Sequence, residues 1–376
     1  MKNELNERVQ QLIDHLVTSG EEVGLQVAAY VDGKQVVDAW AGVADETTGQ
    51  LVDGDTLFTS WSTTKGFAAT CVHILVDRGL LSYETPVVAY WPEFGVHGKQ
   101  ATTVRHLLTH MAGIPQMPEG VTPAMMTDWD AMCNAIAGHK PLWEPGTKTG
   151  YHAWTFGWLL GETVRRVAGR SIAQFAQEEL CQPLGIADFY LGIPDAVAPR
   201  VARLRQEAEH LAGALNIQGL ARQVMPPQVT TADVVNRPDV RRASIPGGGG
   251  IMSARAIARH YAMLAGHGEL DGVRILSPER IDLIRALQTD ARDEVFAGPA
   301  RKGLGYFLGG EISTAGDISM GRTGREFGHG GNGGSLGFAD PERKLAFGLT
   351  KTLMKAVADP QQSAAYRVAE AIRAAL

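Results

Sequence analysis

Ser62 and Lys65 stand three residues apart in Ser62-Thr63-Thr64-Lys65, at the head of a run that reads as a helix. Residues at that spacing share one helical face, so the lysine amine can touch the serine oxygen. A serine hydroxyl is a poor nucleophile without an adjacent base. A lysine held in a dry pocket can lose its proton and serve as one. A helix N-terminus adds unpaired N–H groups and partial positive charge, which would stabilise a developing oxyanion. No other serine in the chain has a lysine three residues on. The plainer alternative is an N-cap serine with a solvated lysine on the first turn.

Two further segments could complete such chemistry. The loop Pro145-Gly146-Thr147-Lys148-Thr149-Gly150-Tyr151-His152-Ala153 delivers Tyr151 just before a helix that starts near Trp154. A phenol beside an ammonium is pushed toward phenolate and can act as a base; otherwise Tyr151 is a core residue with a bonded hydroxyl. Near the end, His329-Gly330-Gly331-Asn332-Gly333-Gly334 precedes a strand. Glycines let backbone approach a substrate closely. The Asn332 N–H, aimed at the same point as the Ser62 N–H, would make an oxyanion hole. The plainer alternative is a glycine-rich turn with a surface histidine.

Three look-alikes fail on physical grounds. Gly333-Gly334-Ser335-Leu336-Gly337 matches the nucleophile elbow of α/β-hydrolases, but a strand follows the serine and no histidine occurs after His329. His106 and His110 have zinc-ligand spacing without the glutamate of H-E-x-x-H, and capping by His110 before Gly113 is the better reading. The tetraglycine at 247–250 leads into Ile251-Met252-Ser253, without the lysine of a phosphate loop.

The elements that must position these residues follow from pattern. At 376 residues, 44% hydrophobic and 20% charged, the chain can bury a large core. Net charge is −6 with no long basic run, which argues against nucleic acid. Cys71, Cys133 and Cys181 form no CxxC, so reduced structural thiols are expected. Met1 to Gly20 reads as an amphipathic helix with Leu5, Val9, Leu12, Ile13 and Leu16 on one face, not as a secretory signal. No apolar run suits a membrane span, and a cytoplasmic location is expected. Residues 25–31 and 35–43 flank Asp32-Gly33-Lys34, a hairpin signal. Phe67, Cys71, Ile74, Leu75 and Arg78 continue the Ser62 helix, and Gly79 stops it.

Helical patterns then dominate: 101–110, 127–137, 155–168, 172–180, 201–215, 254–266 and one from Pro278. Strand signals return at 303–309, 312–319, 334–339 and 344–351, before a last helix over 361–376. These patterns predict an α+β fold. An antiparallel sheet built from both chain ends (1–79 and 240–376) would be joined to a mostly helical second domain (80–239), with a ligand cleft between them. The soft apolar set Met111, Met117, Met125, Met126, Met132, Trp129 and Trp143 is a candidate acyl-pocket lining.

Ser62-x-x-Lys65, the Tyr151 loop and His329-Gly330-Gly331 occur in the order of a known group. Supporting stretches are Leu107 to Pro115, Gly248 to Ser253 and Gly337 to Pro341. From about residue 20 onward the chain resembles the serine β-lactamase-like superfamily, in particular family VIII carboxylesterases and their class C β-lactamase relatives. The resemblance implies a β-lactamase-like fold, Ser62 as nucleophile, Lys65 and Tyr151 as the base pair, and the Ser62 and Asn332 amides as oxyanion donors. It places His329, Gly330, Gly331 and Ala153 at the substrate and implies no cofactor and no metal. Two departures matter. Ala153 replaces the asparagine of Tyr-x-Asn, and His329 replaces the lysine of Lys-Thr-Gly that meets a β-lactam carboxylate. Both favour an uncharged small-molecule ester, short-chain or aryl. β-Lactamase, D-peptidase or acyltransferase activity on the same site, or a non-catalytic penicillin-recognising role, are the alternatives.

Overall fold

The computed structural model describes residues 2–311 and 316–376. Among the described residues, seven strands form one antiparallel sheet. They are β1 (Gly24–Val31), β2 (Lys34–Asp45), β3 (Gln50–Leu51), β4 (Phe307–Leu308), β5 (Phe327–Gly330), β6 (Leu336–Asp340) and β7 (Leu345–Lys351). The spatial order β4-β5-β6-β7-β1-β2-β3 joins both chain ends at the β7–β1 pair. The β1–β2 turn has Asp32 at φ 49° and Gly33 at φ 71°. Those left-handed values suit a two-residue hairpin, which explains why Asp-Gly sits there. Asp340 Oδ1 accepts the Glu342 and Arg343 N–H groups and so builds the β6–β7 turn.

Helices cover both sheet faces. On one side α1 (Lys2–Thr18) buries Leu5, Val9, Ile13 and Leu16 beside the C-terminal helix, Ala364–Arg373. Their apolar stripes recur at helical spacing, so each hides one face on the sheet. On the other side lies the helix Ala254–Ala265. A Cβ on Gly348 of β7 would sit 2.6 Å from Ala254 O, so only glycine lets this helix approach so closely. The Ser62 segment is a 3-10 turn, Trp61–Thr63, leading into α2 (Thr64–Asp77). The core around α2 is continuous, running from Ala28 through Phe156 and Val224 to Met354. A small antiparallel sheet ties Phe58–Thr59 and Phe189–Tyr190 to either side of Ile251–Met252. All three cysteines are free and buried.

Several expected elements differ. The helix expected over 201–215 begins only at Ala208, as α3 (Ala208–Leu215). Before it, Arg205–Gln206 pairs in parallel with Leu353–Met354, and a 3-10 turn containing Pro199 covers Asp195–Arg200. Tertiary pairing outweighs local propensity there. The helix over 101–110 shrinks to Val104–Leu108, entered by a Thr103 capping box. Of 303–309 only Phe307–Leu308 is strand. Residues 312–315 of the expected strand 312–319 lie outside the described residues, and 316–319 is not strand. His110 does not cap a helix with its side chain. It takes φ 59°, and its Nδ1 accepts the His152 N–H. Among the described residues no helix is long and apolar enough to cross a membrane.

Candidate active site

The backbone turns sharply to present Ser62. Trp61 adopts φ 46°, a left-handed conformation that is costly for a bulky residue. Local bonds hold it there. Thr64 Oγ1 donates to Trp61 O at 2.5 Å and itself accepts the Gly250 N–H. From the first turn of α2, Lys65 reaches back so that Nζ lies 2.9 Å from Ser62 Oγ. Nζ also donates to Ala153 O at 2.7 Å and Gly247 O at 2.5 Å. Lys65 is 0% exposed, and the Tyr151 ring centroid lies 4.9 Å from Nζ.

The donor arithmetic of this lysine is informative. Among the described residues no carboxylate is its partner. Burial alone pushes its pKa well below the ordinary 10.5. A neutral amine has two N–H groups and one lone pair. The two carbonyls take both N–H groups, which leaves the lone pair facing the Ser62 hydroxyl. The Tyr151 hydroxyl lies near the Ser62 side chain; burial raises its pKa and outweighs the Ser62 contact, which pulls it down. The phenolate expected beside an ammonium is therefore not favoured. Tyr151 is desolvated, its neighbouring amine is itself driven toward neutrality, and the phenol keeps its proton.

The tetraglycine set aside in the sequence as a failed phosphate loop is part of this site. Gly247 O binds Lys65, and a Cβ on Gly247 would lie 2.5 Å from Trp154 O. Ser335, set aside as an accidental elbow, is also used. Its hydroxyl donates to Ser60 O at 2.8 Å and lies 3.1 Å from Thr63 Oγ1. It thus staples the β5–β6 turn, just before β6, to the Ser62 turn. Gly331 is squeezed between them, with a notional Cβ 2.5 Å from Ser60 O. Asn332 follows it in the turn, on the same cleft as Ser62. Neither backbone N–H has a partner among the described residues.

His329 and Gly330 lie on β5 and line the same cleft with Gly331 and Ala153. His329 is buried, not a surface residue. Its Nδ1 lies 2.7 Å from Gly330 O, which can only accept, so Nδ1 carries the proton. Burial, with Lys65 nearby, lowers its pKa to about 3, so the ring is neutral. The methionine-rich set does not line the cleft. Met117, Met126 and Met132 pack in the main core, with Met125 and Trp129 at its edge. The apolar walls are instead Trp61, Trp154, Phe296, Phe307, Ile217 and Met225. Among the described residues no group of three or more metal-binding side chains converges.

A buried ion pair braces the Tyr151 loop. Lys302 Nζ contacts Asp293 Oδ2 at 2.5 Å and Thr149 Oγ1 at 2.7 Å. Asp293 Oδ1 accepts the N–H groups of Tyr151, Val295 and Phe296. The Phe296 ring stacks on Tyr151 at 4.8 Å, and the His110 ring packs 5.0 Å away. Nothing in the sequence pattern joins residues 151, 293 and 302, so pattern reading did not single out the pair.

The family model for β-lactamase matches residues 9–371. The chain belongs to the β-lactamase family. It is 36% identical to the esterase/β-lactamase LipL of Mycobacterium tuberculosis, over 87% of this chain and 76% of that protein. A family VIII carboxylesterase crystal structure superposes with a TM-score of 0.89 at 35% identity, covering 99% of this chain and 98% of that one. A penicillin-binding protein homologue from Caulobacter crescentus gives 0.85 at 33% identity, with coverage of 99% and 98%. The β-lactamase-like α+β fold and the reading as a hydrolase of this family follow.

Two substitutions probe the scaffold. Lys302→Met strands a buried carboxylate and is expected to cost about 3–5 kcal/mol in urea unfolding; an unchanged midpoint would show that the pair carries no load. Gly331→Ala must displace the turn beside Ser62. It is expected to slow turnover about a hundredfold, the scale of an ångström-sized misplacement, with near-native circular dichroism. Full turnover would show that the close approach is dispensable.

Proposed function

We propose that this protein is a serine carboxylesterase that cleaves uncharged short-chain or aryl esters through an acyl-Ser62 intermediate. The observation that carries the reading is the Ser62–Lys65–Tyr151 cluster, in which the fully buried Lys65 Nζ lies 2.9 Å from Ser62 Oγ. Lys65 takes the Ser62 proton as Oγ attacks the ester carbonyl. The tetrahedral oxyanion accepts hydrogen bonds from the Ser62 and Asn332 N–H groups. The proton passes through the Lys65–Tyr151 pair to the departing alcohol as the C–O bond breaks. Water then loses a proton to the same pair and attacks the acyl carbon, releasing the acid and restoring Ser62.

The cleft supports an uncharged substrate. It encloses about 1400 Å³. The lysines on its wall, Lys351 and Lys355, are held by Glu22 at 2.6 and 3.5 Å. His329 is neutral and offers no fixed positive charge where the resemblance would place a lysine. A β-lactam carboxylate would lose its water there and gain no counter-ion. The Ala153 side chain provides no amide at the position where the resemblance would place an asparagine.

A panel of p-nitrophenyl esters measured against a chromogenic cephalosporin tests the reading. Ester turnover is expected to dominate and to vanish in Ser62→Ala. Lys65→Ala and Tyr151→Phe are each expected to slow acylation at least about a hundredfold. Cephalosporin turnover alone, or ester turnover that survives Ser62→Ala, would refute it.

A further inference from the structure

The helix α3 forms one wall of the cleft, yet none of its residues is buried. Glu209, His210, Gly213 and Ala214 of this helix line the cleft, followed by Ile217. Its N-terminal end is anchored where Arg205–Gln206 pairs with Leu353–Met354 and the Glu207 N–H donates to Met354 O. Among the described residues, one side-chain hydrogen bond crosses from α3 to the Gly331–Gly334 turn. It joins His210 Nε2 to Asn332 Oδ1 at 3.1 Å.

The proton positions along this connection follow from its far end. The Ala232 N–H donates to Gln206 Oε1 at 3.0 Å, which fixes the amide orientation. The Gln206 Nε2–H group then donates to His210 Nδ1 at 2.9 Å, so Nδ1 is the unprotonated nitrogen. The proton of a neutral His210 must sit on Nε2, and it points at Asn332 Oδ1. Burial keeps the ring neutral by lowering its pKa, against the opposing pull of the Asn332 bond.

We infer that His210 is a positioning residue, latching α3 onto the turn that carries the Asn332 N–H so that closing the cleft and aligning the oxyanion donor are one event. The inference rests on the esterase reading for its kinetic consequence but not for the latch. Without the bond, α3 keeps its anchor at Gln206 and loses its hold on the turn. The turn keeps the Ser335 staple but loses the contact that orients its tip. The expected loss is in the rate of the chemical step, because the bond holds the side chain of the residue whose backbone N–H is the proposed oxyanion donor and does not reach the ester.

A double-mutant cycle of His210→Phe and Asn332→Ala tests this by two readouts. In amide hydrogen exchange, the peptide spanning 208–215 should exchange severalfold faster in either single variant and no faster in the double. With p-nitrophenyl acetate, kcat should fall about fivefold to tenfold in each single variant, the scale of one hydrogen bond. KM should move little, and the double should be no worse than either single. His210→Gln, which keeps an N–H donor, should recover most of the rate. Unchanged exchange in the singles would overturn the latch whatever the substrate proves to be. Multiplicative kinetic losses with coupled exchange would leave α3 latched but His210 without a positioning role, contradicting the inference. Should His210→Phe fail to fold, Asn332→Ala against Asn332→Asp decides: only the aspartate, which keeps an acceptor, should preserve protection of 208–215. Should no ester be turned over, exchange still decides the latch.

Discussion

Everything in the site depends on one desolvated amine. Lys65 is sealed from water between two backbone carbonyls, the Tyr151 ring and the Ser62 hydroxyl. Burying a charged ammonium without a carboxylate is expensive, so the group yields its proton instead. On the proposed reading, that exchange lets an ordinary basic side chain act as the base for Ser62. It also explains why the partners are carbonyls. A carboxylate would hold the proton on nitrogen, whereas two carbonyls take two N–H groups and leave the lone pair free.

Keeping that amine dry requires backbone to come very close from several directions. Gly247 and Gly331 are among the points where a side chain would collide with neighbouring main chain. Ser335 then fastens the β5–β6 turn to the Ser62 turn, and the Asp293–Lys302 pair fastens the Tyr151 loop. The contrast between the two buried lysines is instructive. Lys302 has a carboxylate partner and belongs to a structural pair; Lys65 has none and faces the serine. Burial lowers both pKa values, but only Lys302 has an ion partner pulling its value back up. On the proposed reading, the nearest anion separates a brace from a base.

Much of this was legible in the sequence because the chemistry is local. Ser62 and Lys65 lie on adjacent turns, so spacing alone brought them together. The Asp32-Gly33 turn and the Asp340–Arg343 turn are likewise encoded by the residues that make them. Long-range features were less readable. Ser335 looked accidental because its partner, Ser60, is 275 positions away. The tetraglycine was judged against a phosphate motif, although its signal was close approach. The soft methionines are equally suited to a core or a pocket, and composition could not choose between them. Helix length failed where strand pairing at Arg205–Gln206 consumed the first part of an amphipathic run. The Tyr151 phenol shifts opposite to the expected direction, because burial raises its pKa while it lowers that of the neighbouring lysine.

The most direct test of the account is the pH dependence of single-turnover acylation of Ser62, followed by the burst of p-nitrophenol. Lys65 must be unprotonated to act, so the rate should fall as pH drops through its folded-state value. The account predicts a midpoint well below the ordinary lysine value of 10.5, with a flat profile above it until the protein unfolds. A rate that keeps climbing to a midpoint near 10.5 would show a solvated, charged amine and would contradict the central claim.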